Sequence, residues 1–337
     1  MMDKTVLVLG ATGGIGGEMA RQLLAAGWQV RALTRGETPS PRRENIEWLR
    51  GDALSRADVL AAAKGCAVIV HAVNPPGYRH WGRLVLPMLD NTVAAAMAEG
   101  ATIVLPGTVY NFGPDAFPAP HGLLAEDAPQ RPLTRKGAIR VELEARLERA
   151  SMQGARVLIV RAGDFFGPRA GNNWFSQGLV KPRQSVRSVL YPGAPGVGHQ
   201  WSYLPDVART MVQLLDVRAT LPAFARFHMA GHWDRDGRQM TGAIARVVEQ
   251  ATGTAPAIRR FPWWLAVLAS PFVATLREMR EMRYLWRIPL PMDNTQLLAV
   301  LGQEAHTPLD EAVRATLEGM GNLNVTGKKN APGLPAH

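Results

Sequence analysis

A chain of 337 residues with 47% hydrophobic and 20% charged residues has the composition of an ordinary globular protein, which excludes disordered, collagen-like and disulfide-framework classes. Its 38 Lys and Arg against 28 Asp and Glu leave a formal net charge of +10, which points to anionic partners such as phosphorylated cofactors; no nucleic-acid-binding signature accompanies it. The single cysteine, Cys66, rules out an internal disulfide and any cysteine-rich zinc site, and His71, His199 and His232 are scattered without ligand spacing, so no metal is expected.

From "MMDKTVLVLG" the chain runs directly into a strand and a glycine turn without a leader-like segment, and the expected location is the cytoplasm. Short β-branched runs predict strands at Thr5–Leu9, Gln29–Leu33, Ile46–Leu49, Ala67–His71, Thr102–Leu105 and Arg156–Val160. Between them, apolar periodicity predicts helices at Ile15–Ala26, Arg56–Ala63, Arg83–Ala98 and Leu133–Met152. In "KGCAVIVHAV", Cys66 reads as a small core residue. Strands alternating with crossovers make an α/β fold, a doubly wound parallel Rossmann sheet, with a smaller C-terminal substrate or cap region.

Past Phe165 the pattern loosens into Pro- and Gly-rich stretches, with helices near Pro205–Leu215 and Arg238–Gln250 and a segment, Phe224–Met229, that can return to the sheet. The Trp-rich block from Phe261 to Trp286 reads as a cap over the open end of the sheet. Its apolar part, Phe261 to Leu276, is too short to span a bilayer and is broken by Pro262 and Pro271, so a core or interface helix is expected rather than membrane insertion. The expected division is a dinucleotide-binding domain at 1–165, a substrate and cap region at 166–325 interleaved with returning sheet elements, and a disordered tail at 326–337.

The clearest motif is Gly10-Ala-Thr12-Gly13-Gly-Ile15-Gly16 between a strand and a helix. Gly10 permits the tight turn, Gly13 lets backbone N–H groups approach a pyrophosphate, and Gly16 lets helix and strand lie close. The helix N-terminus supplies positive charge. The second strand ends in "VRALTRG" and offers Arg35 where an acid would read the ribose of NAD(H), which favours NADP(H). Asp52 and Ala53 follow the third strand where an adenine edge would lie, and Ala72, Val73 and Asn74 follow the fourth near ribose and pyrophosphate. Gly163, after the sixth strand, joins the expected cofactor set.

Taken together, Gly10–Gly16, Asp52, "VYNFG" at Val109–Gly113, the helix from Lys136 and "RAGDFFGP" at Arg161–Pro168 resemble the short-chain dehydrogenase/reductase superfamily, most of all its extended NAD-dependent epimerase/dehydratase branch. The likeness is good over about the first 215 residues and loose beyond. "HQWSYLPDVART" resembles that branch's helix-opening segment, with Asp206 expected as an N-cap.

The resemblance also exposes departures. Where the family has a substrate-binding Ser this chain has Pro106, and Thr108, two residues on, is the remaining donor candidate. The family's Tyr-x-x-x-Lys aligns with Lys136-x-x-x-Arg140, followed by Glu144. Arg140, one turn along the helix, and the positive helix end both disfavour charge on Lys136, so this lysine is expected to act as the acid while also contacting cofactor. The same Lys-x-x-x-Arg replacement is similar to the helix of the isoflavone reductase and phenylcoumaran benzylic ether reductase group, which implies NADPH-dependent reduction. Tyr110 is a further candidate acid.

For substrate, Asn173, Trp174, Trp201 and Tyr203 form an expected aromatic and amide wall suited to a small, largely apolar carbonyl or enone-like compound. Two alternatives stay open. One is a nucleotide-sugar epimerase or dehydratase whose pyrophosphate meets Lys181, Arg183 and Arg187; the other is a dinucleotide sensor without turnover, like the nitrogen-metabolite-repressor type of regulator. A homodimer is left open.

Overall fold

The computed structural model describes residues 4–36, 45–75, 81–116, 122–171 and 173–323. The predicted tail at 326–337 lies outside them, as does Asn172 of the aromatic wall segment.

The N-terminal half alternates β1 (Thr5–Leu9), α1 (Gly14–Ala25), β2 (Gln29–Thr34), β3 (Ile46–Arg50), α2 (Arg56–Ala63), β4 (Val68–His71), α3 (Trp81–Glu99), β5 (Thr102–Thr108), α4 (Arg135–Met152) and β6 (Arg156–Ala162). Every strand pair among these is parallel, and the sheet continues into a later strand, Phe224–His228, which pairs with β6. The strand facing β1 on one side is β2 and on the other is β4. The chain therefore reverses its winding direction beside β1, and the crevice at such a switch point is where α/β sheets bind ligands.

Both faces of the sheet are covered, which is why its strands read as unbroken apolar runs rather than alternating ones. Along β1, Val6 and Val8 pack into one core layer with Met19 and Leu23 of α1, while Leu7 and Leu9 pack into the other with Val59 of α2 and Leu89 of α3. Cys66 is buried in that second layer. The helix α5 (Leu204–Asp216) returns to the first layer beside α1 through Val207 and Met211.

Besides two C-terminal helices, the elements not anticipated from sequence are short strands. They are β7 (Asp164–Phe166), β8 (Ser188–Tyr191), β9 (His199–Tyr203), β11 (His232–Asp234) and β12 (Ala257–Arg260), with β10 being the returning Phe224–His228. They form a three-stranded sheet, β11-β9-β7, and a two-stranded one, β12-β8. With α6 (Gln239–Thr252), α7 (Trp263–Ala269), α8 (Ala274–Glu281), α9 (Thr295–Leu301) and α10 (Leu309–Gly319) they make up the C-terminal part, in which β7, β8, β9, α6, α7, α8 and α10 supply a separate apolar cluster that contains Phe166, Trp201 and Trp286. No helix among the described residues is long and apolar enough to cross a membrane.

Asp206 corrects an expectation. It lies inside the first turn of α5 rather than capping it, and Tyr203 holds the cap position. Its carboxylate accepts from the Thr307 backbone N–H at 2.7 Å and the Thr307 hydroxyl at 2.8 Å, and pairs with Arg209 at 2.6 Å. It ties α5 to a loop 101 residues away, a partner that local spacing cannot reveal.

Candidate functional site

The C-terminal ends of β1, β2, β4 and β5 open onto a cavity of about 720 Å³, within the size range of small-molecule and cofactor sites. One wall is backbone. Gly13 caps α1 with no side-chain hydrogen bond, so the first N–H groups of the helix are not consumed by a capping side chain and can serve an anion. Gly10 has φ +91°, and a Cβ there would come within 2.6 Å of the Ala72 carbonyl oxygen. A Cβ on Gly16 would sit 2.2 Å from the Gly10 oxygen. Both positions therefore require glycine, and together with the uncapped helix they form the cradle a dinucleotide pyrophosphate needs.

Gly10, Thr12, Gly13, Ile15, Arg35, Asp52, Ala53, Ala72, Val73 and Asn74 all line this cavity. Gly16 and Gly163 do not; Gly16 closes α1 onto the turn behind it, and Gly163 lies where a Cβ would strike the Gln200 backbone, so it lets β6 pass β9. After β3, Asp52 is engaged locally: its backbone N–H donates to Asp58 of α2 at 2.8 Å and its carboxylate accepts from Leu54 N–H at 3.0 Å. Arg35, exposed beside Thr34 and Gly36, supplies positive charge at that corner.

The opposite wall is made of side chains. Thr134 caps α4 by accepting from Gly137 N–H at 3.0 Å, which places Lys136 in the first turn, at the positive end of the helix. Lys136 is buried and lines the cavity with Arg140. Between them stands Trp81, at the start of α3. The Lys136 ammonium is 5.9 Å and the Arg140 guanidinium 5.2 Å from its ring centroid. An aromatic face shared by two cations offers both of them its negative quadrupole in a partly desolvated place.

Thr108 lines the same cavity and accepts from Tyr110 N–H at 2.9 Å. Pro106, where the family's Ser would be, lines only a small annex of about 40 Å³ behind it, with His71, Arg140 and Thr108. Pro106 lies beyond Val104, the last residue of β5 paired with β4, so its missing N–H falls where the strand has lost one neighbour. His71 bonds Thr92 at 2.8 Å, and burial, helped by nearby Arg140, lowers its pKa to about 3. It is neutral at physiological pH.

The structure also brings together residues that the sequence did not single out. The Tyr110 hydroxyl donates to Asp164 Oδ1 at 2.8 Å, and Asp164 Oδ2 lies 2.9 Å from His199 Nε2. His199 Nδ1 lies 3.1 Å from the Leu285 carbonyl, which can only accept, so Nδ1–H donates to it. His199 stacks on Trp286 at 3.6 Å between ring centroids. Tyr110 and Asp164 line the cavity, as do Arg169, Gln177, Met279 and Met282. The acid in "RAGDFFGP" was the available signal for Asp164; nothing local marks His199, 35 residues on.

Behind α4, Glu144 and Arg161 form a fully enclosed bidentate pair at 3.0 and 2.5 Å, and Arg161 also donates to the Glu126 carbonyl and to His228 Nε2, each at 3.0 Å. His228 Nδ1–H donates in turn to the Leu124 carbonyl at 3.0 Å. That pattern needs a neutral imidazole, and burial and Arg161 lower its pKa to about 3. The network bolts α4 to β6.

On the substrate side, Asn173 and Trp174 line the cavity, the Asn173 amide being held by the Ala170 carbonyl at 2.7 Å. Trp201 and Tyr203 do not reach the lining. Trp201 is fully buried against Phe166 and Trp286, and Tyr203, whose pKa burial raises to about 12, packs on Phe166. β9 points both into the apolar cluster. Lys181, Arg183 and Arg187 are likewise absent from the cavity lining.

Residues 10–165 match the model of a family described as NAD(P)H-binding. The chain is similar to a Streptomyces protein named 3-diazoavenalumate denitrifying reductase, 29% identical over 180 residues that cover 49% of this chain and 58% of that one. This chain thus spans little over half of that relative's length. A Synechocystis protein provisionally named dihydroflavonol 4-reductase is 25% identical over 344 residues, covering 93% and 89%. Among solved structures, MoeE5 in complex with UDP-glucose and NAD superposes with a TM-score of 0.69 at 19% identity, covering 94% and 98%. Thermus thermophilus UDP-glucose 4-epimerase in complex with NAD gives 0.66 at 19%, with the same coverage. The chain thus shares the fold of these two solved structures.

Proposed function

We propose that the chain is an NADPH-dependent reductase of a small, largely apolar carbonyl or enone-like substrate, with Lys136 as the proton donor. The observation that carries this is the position of Lys136: buried, in the first turn of α4, on the cavity that also holds the glycine turn and Arg35. The names of the two curated relatives, both reductases, agree with it.

The residues of the glycine turn and the N-terminus of α1 hold the cofactor pyrophosphate, and Arg35 pairs with a 2′-phosphate. A bound nicotinamide supplies hydride to the electrophilic carbon. The Thr108 hydroxyl orients the substrate oxygen, and the Lys136 ammonium gives that oxygen its proton, leaving a neutral amine that solvent reprotonates. Arg140 holds the nicotinamide ribose and, with Trp81, keeps Lys136 from swinging out. Trp174, Met279 and Met282 provide apolar contact for the substrate.

The test is turnover of NADPH with a panel of ketones, aldehydes and enones by the wild type and by Lys136→Met, with cofactor affinity measured on both. The expected result is a fall in kcat with affinity kept; unchanged turnover in Lys136→Met removes the assignment. A second reading, nucleotide-sugar epimerisation or dehydration, draws on the UDP-sugar and NAD complexes of the fold neighbours and on Arg169 in the cavity lining. It predicts measurable affinity for a nucleoside diphosphate sugar by calorimetry. Cofactor binding with no turnover on either panel is the signature of the third reading, a dinucleotide sensor.

A further inference from the structure

Part of the cap takes no share in the cavity. Helix α7 reads WWLAVLA and buries only Ala266. Trp264 is 66% and Leu268 67% exposed, and Phe272, in the turn that follows, is 89% exposed. Leu265, Val267 and Val273 are exposed beside them. A helix that is apolar all round belongs in a core or in lipid, and a contiguous exposed apolar patch marks a contact site.

The rim of this patch is basic. Between residues 257 and 287 the chain has six arginines and two glutamates, Glu278 and Glu281, a balance of +4. Arg259 and Arg260 are exposed on β12 just before α7. Arg283 lies over the Trp263 ring at 4.6 Å and Arg280 donates to Ser270 at 3.4 Å, so guanidinium groups border α7 at its start and at its end. Arg277 and Arg287 are exposed on the elements that follow.

We propose that this face seats the protein on an anionic phospholipid surface, with Trp264, Leu268 and Phe272 in the boundary between headgroups and acyl chains and the arginines on lipid phosphate. Aromatic and aliphatic side chains within a guanidinium rim are the chemistry of an interfacial anchor. A second copy of the chain fits poorly, because a two-fold contact would set like arginine rims against each other. Met279 and Met282, in the segment just after the patch, line the cavity, so the docked orientation brings a cavity wall near the lipid. The docking does not depend on the reductase reading.

The experiment is co-sedimentation of the full chain with vesicles of phosphatidylcholine alone and of phosphatidylcholine with phosphatidylglycerol. Binding to the anionic vesicles, weakened by salt, is expected. Arg259→Gln with Arg260→Gln lowers vesicle affinity by roughly 25-fold, about fivefold per arginine. The combined Trp264→Ser, Leu268→Ser and Phe272→Ser variant loses binding while NADPH affinity, the check on folding, is unchanged. Absence of binding to anionic vesicles, or binding retained by the combined variant, overturns the proposal. So does sedimentation equilibrium showing a wild-type dimer that the combined variant dissolves, without vesicle binding by either.

Discussion

The two walls of the cavity are specified in different ways. The glycine turn is written in backbone: what matters at Gly10 and Gly16 is that no Cβ exists to strike Ala72 or Gly10 itself. The α4 wall is written in side chains whose meaning depends on neighbours from other elements, Trp81 from α3 and the Glu144–Arg161 pair behind. The first wall therefore tolerates almost no substitution; the second is set by side chains that can be exchanged while the fold stays the same.

That contrast can be broken from either side. Gly13→Val is expected to abolish dinucleotide binding by calorimetry while leaving a folded chain, since a Cβ there meets only the Gly10 oxygen, at 3.3 Å, but fills the place a pyrophosphate would take. Lys136→Met should do the reverse, keeping cofactor affinity and lowering kcat by roughly 10²- to 10⁴-fold, the usual range for loss of a general acid. If both substitutions abolished binding, the division between the walls would be wrong. Arg161→Met tests the support of the second wall. It strands the buried Glu144 carboxylate and should cost about 3–5 kcal/mol of stability in denaturant unfolding.

Acid should unsettle the core behind the second wall too. Burial lowers the pKa of His71 and His228 to about 3 and of His232 to about 4, against 6.5 for an ordinary histidine. Below pH 6.5 the unfolded chain takes up protons that the folded one refuses, so stability falls as pH falls, by roughly 1.4 kcal/mol per pH unit for each histidine. Chemical denaturation at pH 7 and at pH 5 measures this. His228→Gln should flatten part of the slope. The carboxyl pKa values of Asp206 and Glu126, raised by burial, act in the opposite direction and reduce the net slope. The smallest effect sharpens the cofactor wall: Arg35→Ala should reduce the preference for NADPH over NADH about tenfold, the loss of one charge-assisted contact.

Much of this architecture is legible in the sequence. Thr5–Leu9 and Arg56–Ala63 fall where periodicity puts them, because a strand buried on both faces must be apolar throughout and a helix over it must be apolar on one side. The glycine turn was legible because its requirement is local. What was not legible depends on partners far along the chain. Trp201 looked like a substrate contact, yet β9 turns it into the cluster with Trp286. Trp81 drew no notice because a lone tryptophan near a helix start says nothing until α4 places Lys136 and Arg140 on its ring. Asp164 and His199 are separated by 35 residues and meet only because β7 and β9 pair.

The chain from Leu285 through His199 and Asp164 to Tyr110 runs from the cap segment to the cavity in three hydrogen bonds. His199 is also stacked on Trp286, so the 282–286 turn holds the imidazole from two sides. The phenol on the cavity wall is thereby tethered to a turn far along the chain, and the position of one fixes that of the other.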